Sequence, residues 1–195
     1  MKKVFFSTIL FGILSTQVHA DYLPSQQSTS ALAARYSTMS FNELLNEAKA
    51  GQAAAQFYVA TRYQYGREVS KDPKQAFTWY KKAADQGVSA AQLNVGRMLV
   101  EGIGTSQNEK LGRQYLEKAA SHGDNRASFN LALIEEHNKK YVNAYQWYEL
   151  STRDGMLDNK VIDMSQTKKT ALAANLTPEQ IRQAVDRADK WIQAQ

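Results

Sequence analysis

Apolar residues recur along the middle of this chain at helical spacing, and the same pattern returns at a fixed interval. Ala55, Val59, Ala60 and Tyr63 fall on one helical face. Ala76, Trp79, Tyr80 and Ala83 make a second face on the next predicted helix. Gly66 is placed to end the first helix in a left-handed cap, and Asp72-Pro73 to open the second with an N-cap and a proline at its first position. Gly51, Gly87 and Gly123 lie 36 residues apart, with Gly155 another 32 on. Aligning the segments on these glycines matches Ala55 with Ala91 and Ala127, and Val59 with Val95 and Leu131. Small residues recur at Ala60, Gly96 and Ala132, and at Ala76, Gly112 and Ala144; rings recur at Trp79, Tyr115 and Trp147. A small residue lets two helix backbones approach and leaves a slot for a neighbouring ring. One helix pair cannot bury its apolar faces alone, whereas stacked pairs share a continuous core.

The expected architecture is therefore all-α: a right-handed solenoid of antiparallel helix pairs with helical end caps. The units are placed at 51–87, 88–123 and 124–155. The third is four residues shorter, with Glu135 to Lys140 standing where the others have a glycine turn. Ser40-Phe41-Asn42-Glu43 reads as a capping box, so residues 37–50 form an N-terminal capping helix. Residues 156–195 form C-terminal capping helices, one from about Asn159 to Ala174 and one opened by Thr177-Pro178-Glu179-Gln180. Residues 21–36 are rich in Ser, Thr, Gln and Ala and read as a flexible leader.

This pattern resembles the Sel-one-like repeat family, a branch of the tetratricopeptide-like solenoids. The likeness rests on the small residues near Ala55 and Ala91, on Gly66, Gly102 and Gly104, on Asp72, on Trp79-Tyr80, and on Lys82-Ala83-Ala84 before Gly87. Glu68 departs from it, standing where the second loop glycine is usual, so that turn is expected to be altered. The resemblance implies a scaffold whose first helices line a concave surface and bind another protein. It places partner-binding side chains at Tyr58, Arg62, Tyr65, Asn94, Arg97, Glu101 and Asn130. Positions 61, 98, 133 and 134 belong to the same face. Some exported members of the family act as immunity proteins against toxins, and that is the sharper expectation here.

The opening of the chain gives an address. Met1-Lys2-Lys3, the apolar run Val4 to Leu14, and Val18-His19-Ala20 form a basic start, a short apolar core and small residues before a cut. Residues 1–20 therefore read as a cleavable secretory signal, with cleavage near Ala20 and a periplasmic or secreted product without membrane insertion. The chain has no cysteine, which rules out disulfides and a lipid-modified cysteine. Without Lys2 and Lys3 there are 22 basic against 19 acidic residues, spread along the chain rather than gathered in a stripe. Nucleic acid is thus not the expected partner.

No catalytic constellation emerges. His122 and His137 sit in no ligand-like cluster, and His137 falls in the shortened connection, so neither a metal nor a cofactor is expected. Glu135 and Glu136 are adjacent and point different ways on a helix. Gly102-Ile103-Gly104 lacks the strand and lysine of a phosphate site. Some family members carry a β-lactamase label, but no Ser-x-x-Lys with its partner motifs is present here. A non-enzymatic binding protein is the expectation; an enzyme acting on cell-wall or β-lactam substrates is the alternative.

Overall fold

A computed structural model of the chain describes residues 31, 34–153 and 159–195. The signal, most of the leader and Gly155 lie outside the described residues. The chain divides into two compact units at Ser40. In the first, residues 34–38 are helical. The second, Phe41–Gln195, carries the repeats. Its helices are α1 (Phe41–Lys49), α2 (Ala53–Tyr65), α3 (Pro73–Asp85), α4 (Ser89–Glu101), α5 (Glu109–Ser121), α6 (Asn125–His137), α7 (Tyr141–Ser151), α8 (Asn159–Ala173) and α9 (Pro178–Gln193). Each packs on its neighbours in sequence up to α8, and α9 then turns back onto α7. This is the all-helical solenoid of helix pairs that the periodicity predicts, and its described residues hold no strand.

The core is the repeated set itself. Ala55, Ala91 and Ala127 are fully buried, as are Val59, Val95 and Leu131. Trp79, Tyr115 and Trp147 fill the slots beside them. Trp147 is also met edge-on by Trp191 of α9, with ring centroids 4.9 Å apart, which seals the last repeat. In the second unit the small pair is glycine on both helices. A Cβ at Gly96 would lie 2.7 Å from Leu116 Cγ, and one at Gly112 would lie 2.7 Å from Val100 Cγ2. Leu116 and Val100 therefore pack onto bare backbone.

The caps follow the local signals. The Asp72 carboxylate accepts from the Lys74 and Gln75 amides at 2.9 and 3.0 Å. At α9 the Thr177 hydroxyl accepts from the Gln180 amide and the Gln180 side chain accepts from the Thr177 amide, at 3.2 and 2.9 Å. Two loops correct the sequence reading. Glu68 does not distort its turn: it takes φ 63°, close to the φ 70° of its equivalent Gly104. Its carboxylate accepts from the Phe41 amide at the start of α1, 2.9 Å away, and pairs with Arg62 at 2.6 Å. Those contacts offset the cost of a side chain in the left-handed region. In the third unit, Glu135, Glu136 and His137 remain helical. The turn is only Asn138 to Lys140, with Lys139 at φ 57°.

Candidate functional site

The first helices of the units, α2, α4 and α6, carry two clefts in equivalent positions, one repeat apart. The larger, of about 280 Å³, lies between α4 and α6. The smaller, of about 220 Å³, lies between α2 and α4. Gln64, Tyr65, Lys71 and Pro73 line the smaller, and their equivalents 36 residues on, Val100, Glu101, Gln107 and Glu109, line the larger. Arg97 borders both clefts.

A substitution between repeats explains the difference in their floors. In the first unit the Tyr80 hydroxyl donates to Gln64 Oε1 at 2.5 Å and lies 3.2 Å from Thr61 Oγ1. Burial pushes that hydroxyl up to about 12, against which the Thr61 bond acts only in part, so it stays protonated as a donor. In the third unit Tyr148 donates to Glu136 at 2.5 Å, and Lys168 of α8 reaches the same carboxylate at 3.0 Å. Burial alone would raise the Glu136 carboxyl; the Tyr148 hydroxyl and Lys168 overcome it and hold it below its ordinary value. In the second unit these two positions are Leu116 and Val100. The polar bridge is replaced by a shorter apolar pair, and Leu116 becomes part of the cleft lining with Leu133 and Ile134.

The predicted site residues divide on this geometry. Arg97, Glu101 and Asn130 come together around the larger cleft, and Tyr65 borders the smaller. Arg97 and Glu101 are only loosely paired, at 3.8 Å, and both are substantially exposed. Tyr65 is 62% exposed. The Asn94 and Asn130 amides turn back to carbonyls of their own helices, at 2.8 and 2.7 Å. Tyr58 is half-buried, edge-on to Phe57. Arg62 is not part of the open face: its side chain is 13% exposed and held by Glu68, and its equivalents Met98 and Ile134 are buried. Positions 98 and 134 thus belong to the core edge rather than to a free surface, because the helix rotates them toward the adjoining unit.

Sequence reasoning missed Leu116, Val100 and His137 as site residues. The signal for the first two was present in the alignment, where tyrosine occupies positions 80 and 148 but leucine 116. His137 ends α6 and borders the larger cleft instead of lying in a loop. The adjacent glutamates do diverge: Glu135 is buried against Arg113 at 2.5 Å, whereas Glu136 faces Tyr148 and Lys168. His122 lies 3.2 Å from Gln92 Oε1, the counterpart of the Gln86–Gln56 bond one unit earlier. Among the described residues no group of three or more His, Cys, Asp or Glu side chains is placed to hold a metal ion.

The Sel1 repeat model matches residues 53–88, 89–124 and 127–156, just over half of the chain. The chain belongs to the Sel1 repeat family. Proteins of this family generally mediate protein–protein interactions through a scaffold that is typically non-catalytic. Among solved structures, a Sel1 repeat protein from Oxalobacter formigenes is 26% identical and superposes with a TM-score of 0.57, covering 77% of each chain. A protective antigen present in uropathogenic Escherichia coli strains, displaying an SLR fold, is 24% identical with a TM-score of 0.49. That match covers 78% of this chain and 40% of the other. No curated protein matches the chain. For this Sel1 repeat chain, the clefts on the first-helix face are the feature that distinguishes one repeat junction from the next.

Proposed function

We propose that this protein is exported, loses its first twenty residues, and acts in the periplasm or beyond as a scaffold that grips one partner protein by the first-helix face. The observation that carries the reading is the pair of equivalent open clefts with Arg97 between them. In the third unit the corresponding positions are instead tied together, Tyr148 and Lys168 both reaching Glu136. Tyrosine and arginine at the rim are residue types favoured at binding hot spots. The signal-like opening supports the address. No helix among the described residues is long and apolar enough to cross a membrane.

The test is affinity capture from a periplasmic extract of the source cell, comparing wild type with a Tyr65→Ala/Arg97→Glu variant. A specific partner retained by wild type and lost by the variant supports the reading. No specific partner, or equal capture by both, sinks it. An immunity protein against an envelope-targeted toxin is one form such a scaffold takes. A neighbouring gene for a lipase, nuclease or cell-wall hydrolase would favour that form, and a captured housekeeping enzyme would remove it.

A further inference from the structure

The two clefts differ in charge as well as in floor. The larger is bordered by the carboxylates of Glu101 and Glu109, with the Arg97 guanidinium beside them. The Glu109 carboxylate is fixed by the Asn138 amide at 3.0 Å, which leaves its position set before anything binds. The smaller is bordered by Lys71 and Arg97, and among the described residues no carboxylate lines it. One rim is therefore net acidic and the next net basic, on a face where both clefts hold the same register. The larger cleft has an apolar lining of Val100, Leu116, Leu133 and Ile134, in which Leu116 and Ile134 are buried, Val100 is half-buried and Leu133 reaches solvent. At about 280 Å³ the cavity falls just short of the roughly 300–1,000 Å³ typical of small-molecule and cofactor sites. It suits a single inserted side chain, and Leu133 at its edge is already 37% exposed.

We propose that the larger cleft takes one aliphatic or aromatic side chain from a segment of the partner protein whose flanks carry opposite charges. The basic flank faces Glu101 and Glu109, and the acidic flank faces Lys71 and Arg97. The anchor rests on the cleft floor and covers the exposed part of Leu133 and Val100, while the flanks fix the direction in which the segment crosses the repeats. This rests on the protein-binding reading above and adds the chemistry of what is bound. The charge pattern argues against an acidic or a basic tail of one sign, because either would meet a like-charged rim at one cleft.

The probes are fluorescein-labelled ten-residue peptides with a central leucine. Two carry lysines on one side and aspartates on the other, in the two possible orders; one is all-basic, one all-acidic, and one mixed-charge peptide has serine for leucine. Fluorescence polarisation with the full chain should show one mixed-charge leucine peptide binding at least tenfold tighter than the others. Val100→Gln/Leu116→Tyr puts the polar pair of the first unit into the apolar lining of the larger cleft and should abolish that preference. Should that variant fold poorly, Leu133→Ser at the exposed edge should weaken the same peptide about tenfold. Equal binding by the serine peptide, preference for a single-sign peptide, no measurable binding, or binding unchanged in the cleft variants overturns the proposal. Its failure is separable from that of the wider reading. A captured protein that still binds Val100→Gln/Leu116→Tyr leaves the scaffold role standing and removes the cleft.

Discussion

The middle repeat and its two neighbours are built on one pattern yet solve the same packing problem differently. In the outer units the helices are spaced by alanine pairs, Ala60 with Ala76 and Ala132 with Ala144. A tyrosine from the second helix reaches across to a polar partner on the first. In the middle unit the pair is glycine, the tyrosine is Leu116 and its partner is Val100. The bridge is a hydrogen-bonded polar pair; the apolar pair packs onto glycine backbone and gives the larger cleft an apolar lining. What differs between the units at this pair of positions is therefore the chemistry, not the burial.

The contrast between equivalent positions is broken most severely at Gly104 and Glu68. A Cβ at Gly104 would come 2.1 Å from the Pro73 carbonyl oxygen, at φ 70°. Gly104→Ala should cost about 3 kcal/mol by denaturant unfolding, from overpacking against backbone plus left-handed strain. Glu68→Gly should change stability by less than about 1 kcal/mol, because relief of strain offsets the lost contacts to Phe41 and Arg62. Equal costs at the two positions would mean that the first loop is not the second loop's structural counterpart. Next in size, Gly96→Ala should cost about 2 kcal/mol, since its Cβ would meet both Leu116 and the Gly112 carbonyl. The outer units tolerate alanine at that position, so a neutral Gly96→Ala would show that the middle pair can relax to their spacing.

These positions also mark how far the sequence could be read. The helices, their glycine and Asp-Pro punctuation and the buried rings were legible, because each follows from periodicity and a local cap. Tyr65, Arg97, Glu101 and Asn130 were found on the face for the same reason. Arg62 was not separable from them, since its role depends on Glu68 six residues on and on the α1 amide it also meets. Leu116 reads as core from the sequence and is core; only the contrast with Tyr80 and Tyr148 shows that the cleft it also lines is apolar there. His137 was misplaced because the loop shortened on its far side, at Asn138 to Lys140.

Smaller effects sharpen the contrast at the third junction. Tyr148→Phe should cost about 1 kcal/mol by removing the bond to Glu136, whereas Leu116→Phe should cost about 1–3 kcal/mol by overpacking a buried site set against glycine backbone. Acid titration gives the smallest signal. Glu136 is held below its ordinary value when folded, so its contribution is complete above the unfolded carboxyl range, about pH 4.3. It is lost as pH falls through the lower folded value. Glu136→Gln should therefore flatten part of the acid limb of the stability curve, measured as Tm against pH. An acid limb identical to wild type would contradict a stabilising ion pair at Glu136.

Hydrogen exchange on the full chain with the tightest-binding mixed-charge peptide tests the central claim most directly. Slowed exchange should gather in the last turns of α4 and α6, around Arg97 to Glu101 and Leu133 to His137, and leave α3 and α7 unchanged. Protection spread over the second helices, or centred on the junction closed by Tyr148 and Lys168, would contradict it.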